Sequence, residues 1–369
     1  MPTTSPAKDS YAPWPTAFHD ARHSSSSPIA GPTTGRVAWR KRLEGPVVPG
    51  PVVGTGGVTY VASNAGVLHA LRVSDGRELW RFDGGAGYGI DLSTSPTVLP
   101  DGSILWPGPG GLYGLSRAGR RLWKLSFDSL VLSPLLASRG RIYVQEMDGQ
   151  LHALRLRGRS RPRAVWSNDL GTTSYGSPAL GPSGDVYATV DNQLAAVRSA
   201  SGRVRWRFAA RGIVEVSPAV APDGTIVLGT NDRFEYGVRA DGRERWRYPR
   251  GDLTYSSPGI TADGTAYFGD HRGFLNAVDV KSGDLVARYR GQGRTRDEGN
   301  VGIWTAPLVD ARRNVYFGTH PGKVFGFARD ARRLFAIAAG GVVDSYPALA
   351  ADGTLLIGSE SGELIAIRD

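Results

Sequence analysis

A proline, most often preceded by serine, returns along this chain every 38 to 49 residues, at Pro51, Pro96, Pro134, Pro178, Pro218, Pro258, Pro307 and Pro347. The stretches beginning at Ser177, Ser217 and Ser257 show the full pattern. Each reads as a short apolar strand, an Asp-Gly-type turn, a second strand, a loop, a Leu-x-Ala strand, a glycine turn, and a strand bearing tryptophan. Four short strands at this period describe one blade of a β-propeller. Proline has no ladder N–H, so it suits the start of an edge strand, and the innermost strand of a blade is such an edge. The turns Asp101-Gly102, Asp223-Gly224, Asp263-Gly264 and Asp352-Gly353 would join first strands to second strands. The fold expected is all-β: a single eight-bladed β-propeller of four-stranded antiparallel blades.

The last repeat stops at Asp369 after Leu364-Ile365-Ala366-Ile367, before its tryptophan strand. That strand stands at the other end of the chain. Gly35 to Leu43, GRVAWRKRL, matches the outer strands GRVRWRF and GRERWRY. Closing the ring through it leaves no ragged sheet edge. Residues 35–369 are then the propeller, and residues 1–34 an extended N-terminal arm outside the ring.

Composition narrows the chemistry. With no cysteine, disulfides, thiolate metal ligands, cysteine nucleophiles and lipid attachment at an N-terminal cysteine are all unavailable to this sequence. The net charge of +10 comes mostly from arginine. Many arginines alternate along outer strands, as in Arg203, Arg205 and Arg207, which marks a solvated strand face. The densest group, Arg155 to Arg163, falls on one hairpin. Nucleic acid is not expected as a partner. No apolar run reaches the roughly 18 residues of a membrane span, and Met1 to Ser10 shows no signal-peptide core. A monomer is expected. A cytoplasmic location is favoured on the missing signal, with secretion or the cell envelope as the alternative.

The repeat resembles that of the quinoprotein, or PQQ-type, propeller family. The resemblance rests on the Ala-to-Trp segments Ala70–Trp80 and Ala196–Trp206, on the span 35–369, and on the lead-in from Trp14 to Pro32. It implies the propeller fold but does not specify function, because the superfamily holds both quinone-dependent alcohol dehydrogenases and an outer-membrane assembly scaffold lipoprotein. The chain departs from both branches. It lacks the vicinal disulfide that backs the quinone, it is short, and it lacks the cysteine that carries the lipid. A quinone-free relative with no cofactor is therefore expected.

In a ring of equivalent blades, functional side chains should break the symmetry. Loops before the first strand and between the second and third strands share one face, and loops on a rigid scaffold carry function. Three residues before each proline stand Val48, Ser93, Val131, Tyr175, Glu215, Tyr255, Trp304 and Asp344. The second loops have at their tips Asn64, Pro109, Met147, Asp191, Asn231, His271, His320 and Glu360. Aromatic, acidic and imidazole groups crowd blades four to eight, where the long insertion Gly291 to Trp304 also enters. Glu235 is a further anomaly, since other blades carry leucine or valine at its position and a buried carboxylate there should have a raised pKa.

The tryptophans Trp39, Trp80, Trp123, Trp166, Trp206 and Trp246 are expected to dock neighbouring blades. No phosphate loop, HExxH or GxSxG motif is present. Two functions remain. One is a binding module whose loop face takes a partner, or a small polar or cationic molecule, glycan or peptide at the axial mouth, with Tyr175, Tyr255, Trp304, Glu360 and Glu235 as contacts. The other is an enzyme (hydrolase, lyase or cyclase) using Glu215, Asp344, His271 and His320, with a metal on the two histidines and a carboxylate as one form of it. The absence of a complete catalytic motif favours binding.

Overall fold

The computed structural model describes residues 12–85, 94–291 and 301–369. Ser93 and most of the Gly291–Trp304 insertion lie outside them. The described residues form eight four-stranded antiparallel sheets. In seven blades the strands run in chain order from the centre outward, beginning with Val52–Val53, Thr97–Val98, Leu136–Ser138, Ala179–Leu180, Ala219–Val220, Gly259–Ile260 and Leu308–Val309. In the eighth, Ala348–Leu349 is innermost and the N-terminal strand Val37–Arg42 is outermost, paired with Glu363–Ile367.

The tryptophans act across the blade seams. Trp39, Trp80, Trp166, Trp206 and Trp246 each donate an indole N–H to a carbonyl of the next blade, at 2.7–2.9 Å. Each ring also lies over a glycine of that blade: Gly76, Gly119, Gly202, Gly242 and Gly283. All five glycines have positive φ, and a Cβ on any of them would meet the indole within 2.8 Å. This contact explains why tryptophan and the following glycine turn recur together. The serine of the Ser-Pro pair links blades as well: Ser217 Oγ accepts from Ser177 N–H at 2.8 Å and Ser257 Oγ from Ser217 N–H at 3.0 Å.

Residues 12–34 are packed against the ring. Trp14, Phe18 and His23 are buried. The arm follows the exposed edges of the innermost strands and supplies carbonyls to their N–H groups: Trp14 to Val53, Pro15 to Val98, Ala21 to Leu180, Arg22 to Val220, Ser24 to Ile260 and Ser25 to Val309. It therefore completes six inner edges that would otherwise face an open channel. These contacts fall at the ends of the innermost strands, on the face opposite the loops singled out above.

Candidate functional site

Backbone hydrogen bonds tie the two loop sets together. The tip N–H of Asn64, Met147, Asp191, Asn231, His271, His320 and Glu360 donates to Pro46, Leu130, Thr173, Ile213, Leu253, Gly302 and Val342, each one or two residues before the position compared between blades. In blade two the tip is Pro109, which has no N–H to give.

At blades six and seven this stitching gathers three rings around Trp304. His271 stacks on the indole at 5.2 Å and 23°, His320 meets it edge-on at 4.4 Å, and Tyr255 at 4.9 Å. Tyr255 also touches His271, with ring centroids 5.3 Å apart. Burial lowers the pKa of His271, opposed by Asp252 and assisted by Arg250 and His320. Burial raises the Tyr255 phenol, and Glu215 raises it further, which places that carboxylate beside the cluster. Glu215 is held by Asn231, whose amide donates to it at 2.6 Å. Trp304 Nε1 and His271 Nε2 are buried and make no hydrogen bond among the described residues.

Asp344 and Glu360 make other contacts. Asp344 bears on Tyr346, whose phenol is pushed up to about 12 by burial and then by that carboxylate. Glu360 is fixed through its backbone, to Val342. Among the described residues no three His, Asp or Glu side chains gather as a metal-holding group. No ion pair among them joins His271 or His320 to a carboxylate; both imidazoles face Trp304 instead. A cavity of about 340 Å³ on the same face lies between blades two and three, lined by Gly108, Phe127 and Leu130.

Glu235 is fully buried, and burial pushes its carboxyl up to about 8 against the pull of Arg250. Arg250 is also fully buried, with its Nε 3.3 Å from Glu235, and it donates to the carbonyls of Thr230 and Phe234. The pair sits under the loop that carries Tyr255 and fastens blade five to it. The sequence reading missed Arg250, which has no counterpart in the other repeats.

It also missed Ile213. Tyr175, Ile213 and Tyr255 are 41, 51 and 38 % exposed and stand on three consecutive loops of this face, before the innermost strands of blades four, five and six. The signal was available: an isoleucine at a loop tip has no packing reason to be there.

A family model described as outer membrane protein assembly factor BamB matches residues 29–98 and 160–369. The chain belongs to this family. The curated BamB of Burkholderia pseudomallei (strain K96243) is 32% identical over 103 residues, 27% of this chain and 26% of that protein, so the aligned segment spans about a quarter of that relative. The crystal structure of BamB from Moraxella catarrhalis superposes with a TM-score of 0.68 at 16% identity, covering 91% of this chain and all of that one. Quinohemoprotein alcohol dehydrogenase from Comamonas testosteroni gives 0.75 at 12% identity, over 98% of this chain and 80% of that one. At such identities these two structures speak to the fold alone.

Family membership corrects two expectations. The chain was set apart from the scaffold branch for want of a cysteine, yet the BamB family is the one it belongs to. The cytoplasmic location is overturned too, because a family named for outer membrane protein assembly acts in the cell envelope.

Proposed function

We propose that the chain is a partner-binding propeller of outer membrane protein assembly that holds an extended polypeptide segment against the loop face of blades four to six. The exposed arc Tyr175–Ile213–Tyr255 carries this reading. Among the described residues, the other exposed large apolar side chains are Leu79, Leu122, Val165, Leu285 and Val286, all on outermost strands. Among the exposed large apolar side chains of the described residues, only Tyr175, Ile213 and Tyr255 lie on loops of the rigid ring, where binding residues concentrate.

The chemistry suits a peptide. Tyrosines and an isoleucine anchor apolar side chains at little entropic cost. Glu215 offers a charge to a lysine or arginine of the segment. Ile213→Asp and Tyr255→Asp should abolish co-purification of the envelope assembly partner while the melting temperature stays within a few degrees. Leu122→Asp, on an outer strand, should leave co-purification intact. Equal loss in all three variants would refute the site.

A further inference from the structure

The turn at the tip of blade five carries a strain that five of its counterparts avoid. Where the chain leaves the outermost strand of a blade, a backbone N–H donates to the carbonyl of a residue in that blade's tip turn. The acceptor is Gly66, Gly149, Gly273, Gly322 and Gly362 in five blades, each with positive φ. In blade five it is Arg233, at φ 74°. A long side chain in the left-handed region is disfavoured and persists only where the surrounding structure fixes it.

Arg250 supplies the fixing contacts. Its backbone N–H is the one that donates to Arg233, at 3.0 Å, and its side chain turns back over the same turn. There Nη2 donates to the Thr230 carbonyl at 2.7 Å and to the Phe234 carbonyl at 2.9 Å, so the two bonds bracket the strained residue. Arg250 stands four residues after Trp246. The residues four after the other outer-strand tryptophans are Leu43, Gly84, Phe127, Leu170 and Ala210, so the arginine and the strained turn occur together in one blade. The guanidinium is fully buried beside Glu235, and Asp270, Asp232 and Asp252 add to the carboxyl field around it.

Two anchors of the arc meet at that turn. Asn231, next to Thr230, donates its N–H to the Ile213 carbonyl at 2.9 Å and its amide to Glu215 at 2.6 Å. On the other side, Arg250 opens the loop that carries Tyr255. Arg272 of blade six donates to the Arg250 carbonyl at 2.5 Å, and Thr254 packs on Gly229, where a Cβ would come within 2.6 Å of the threonine methyl. We propose that Arg250 is a positioning residue of the arc: by bracing the Thr230–Phe234 turn it fixes where Ile213 and Glu215 stand relative to Tyr255. This role rests on the reading of the arc as a partner surface. It assigns the geometry of that surface to a buried guanidinium that itself touches no partner.

The test uses the whole protein, whose lack of cysteine lets spin labels be placed at chosen pairs of positions. Nitroxides on Ile213→Cys and Tyr255→Cys report the distance between the two loops by pulsed electron–electron double resonance. Leu122→Cys and Val286→Cys, on outer strands, form the control pair. The parent should give one narrow distance for each pair. Arg250→Met together with Glu235→Leu should widen the 213–255 distribution about twofold, because the strained turn loses its brace, and should leave the control pair unchanged. Adding Arg233→Gly to that background should restore the narrow distance, since glycine holds this turn without an arginine in five other blades. Should the double variant fail to fold, Arg250→Lys keeps the cation without the planar guanidinium, and the same broadening and the same rescue are expected. A 213–255 distribution unchanged in these variants would overturn the proposal. So would broadening that Arg233→Gly does not reverse, or broadening of both pairs alike. The distances are read on the protein alone, so they decide the positioning role separately from the co-purification that tests the arc.

Discussion

Trp39 donates its indole N–H to the carbonyl of Val73 at 2.7 Å, and through that bond the eighth blade is fastened to the first. The donor lies on the N-terminal strand that completes blade eight, so one residue serves both the sheet and the ring. Trp39→Ala loses the hydrogen bond and the cover over Gly76 together. We expect a loss of about 3 kcal/mol in denaturant unfolding, near that of other large-to-small changes at packed aromatics. Trp39→Phe should cost less, since the ring contact survives.

The arm is a structural element of the ring, so its removal should be felt. Trp14→Ala and Phe18→Ala should each cost about 3–5 kcal/mol, because both side chains are buried. Deleting residues 1–32 should destabilise the propeller although every blade strand is retained. Urea denaturation of the truncated chain beside the full one checks this.

His23 gives the arm a pH dependence of known sign. It is buried against Phe18, its Nδ1 lies 2.9 Å from the Pro218 carbonyl, and burial lowers its pKa to about 4. The folded state holds it neutral while the unfolded chain takes the proton near 6.5. Its contribution is complete above 6.5 and is lost as pH falls from there toward 4, to the extent of about 3 kcal/mol. Burial raises Glu235 from 4.5 to about 8, so its contribution runs the other way, present in full below 4.5 and lost as pH rises from there to 8. His23→Gln should therefore lose less stability than the parent between pH 6.5 and 4, measured by urea midpoints at each pH.

Glu235 and Arg250 bury two ionisable groups where most other blades place leucine beside a neutral neighbour. Removing one partner strands the other, so Glu235→Leu or Arg250→Met alone should cost about 3 kcal/mol. The double variant should recover most of that loss or exceed the parent. A double-mutant cycle by thermal or urea unfolding measures the coupling directly.

The fold was legible because each physical requirement of a blade leaves a mark in every repeat: proline at the inner edge, glycine in the turns, tryptophan at the seam. The loop equivalence was legible for the same reason, and it brought His271, His320, Tyr255 and Trp304 together on paper as they are in space. The role of Trp304 was less so. It was expected to be a surface contact, but three rings surround it, so Trp304→Ala should cost stability as well as affinity. The packing of the arm was not legible, because it acts through backbone carbonyls, which any residue supplies. Arg250 escaped because it answers one altered position rather than a repeated one.

The claim that the loop face of blades four to six holds a polypeptide partner is tested most directly by site-specific photo-crosslinking in the cells the chain comes from. A photoreactive phenylalanine would stand in turn at positions 175, 213 and 255, and at 122 and 286 on the outer strands. The account predicts one discrete protein adduct, the same from all three loop positions, and no such adduct from the outer strands. Adducts of equal yield from every position, or from the outer strands alone, would contradict it.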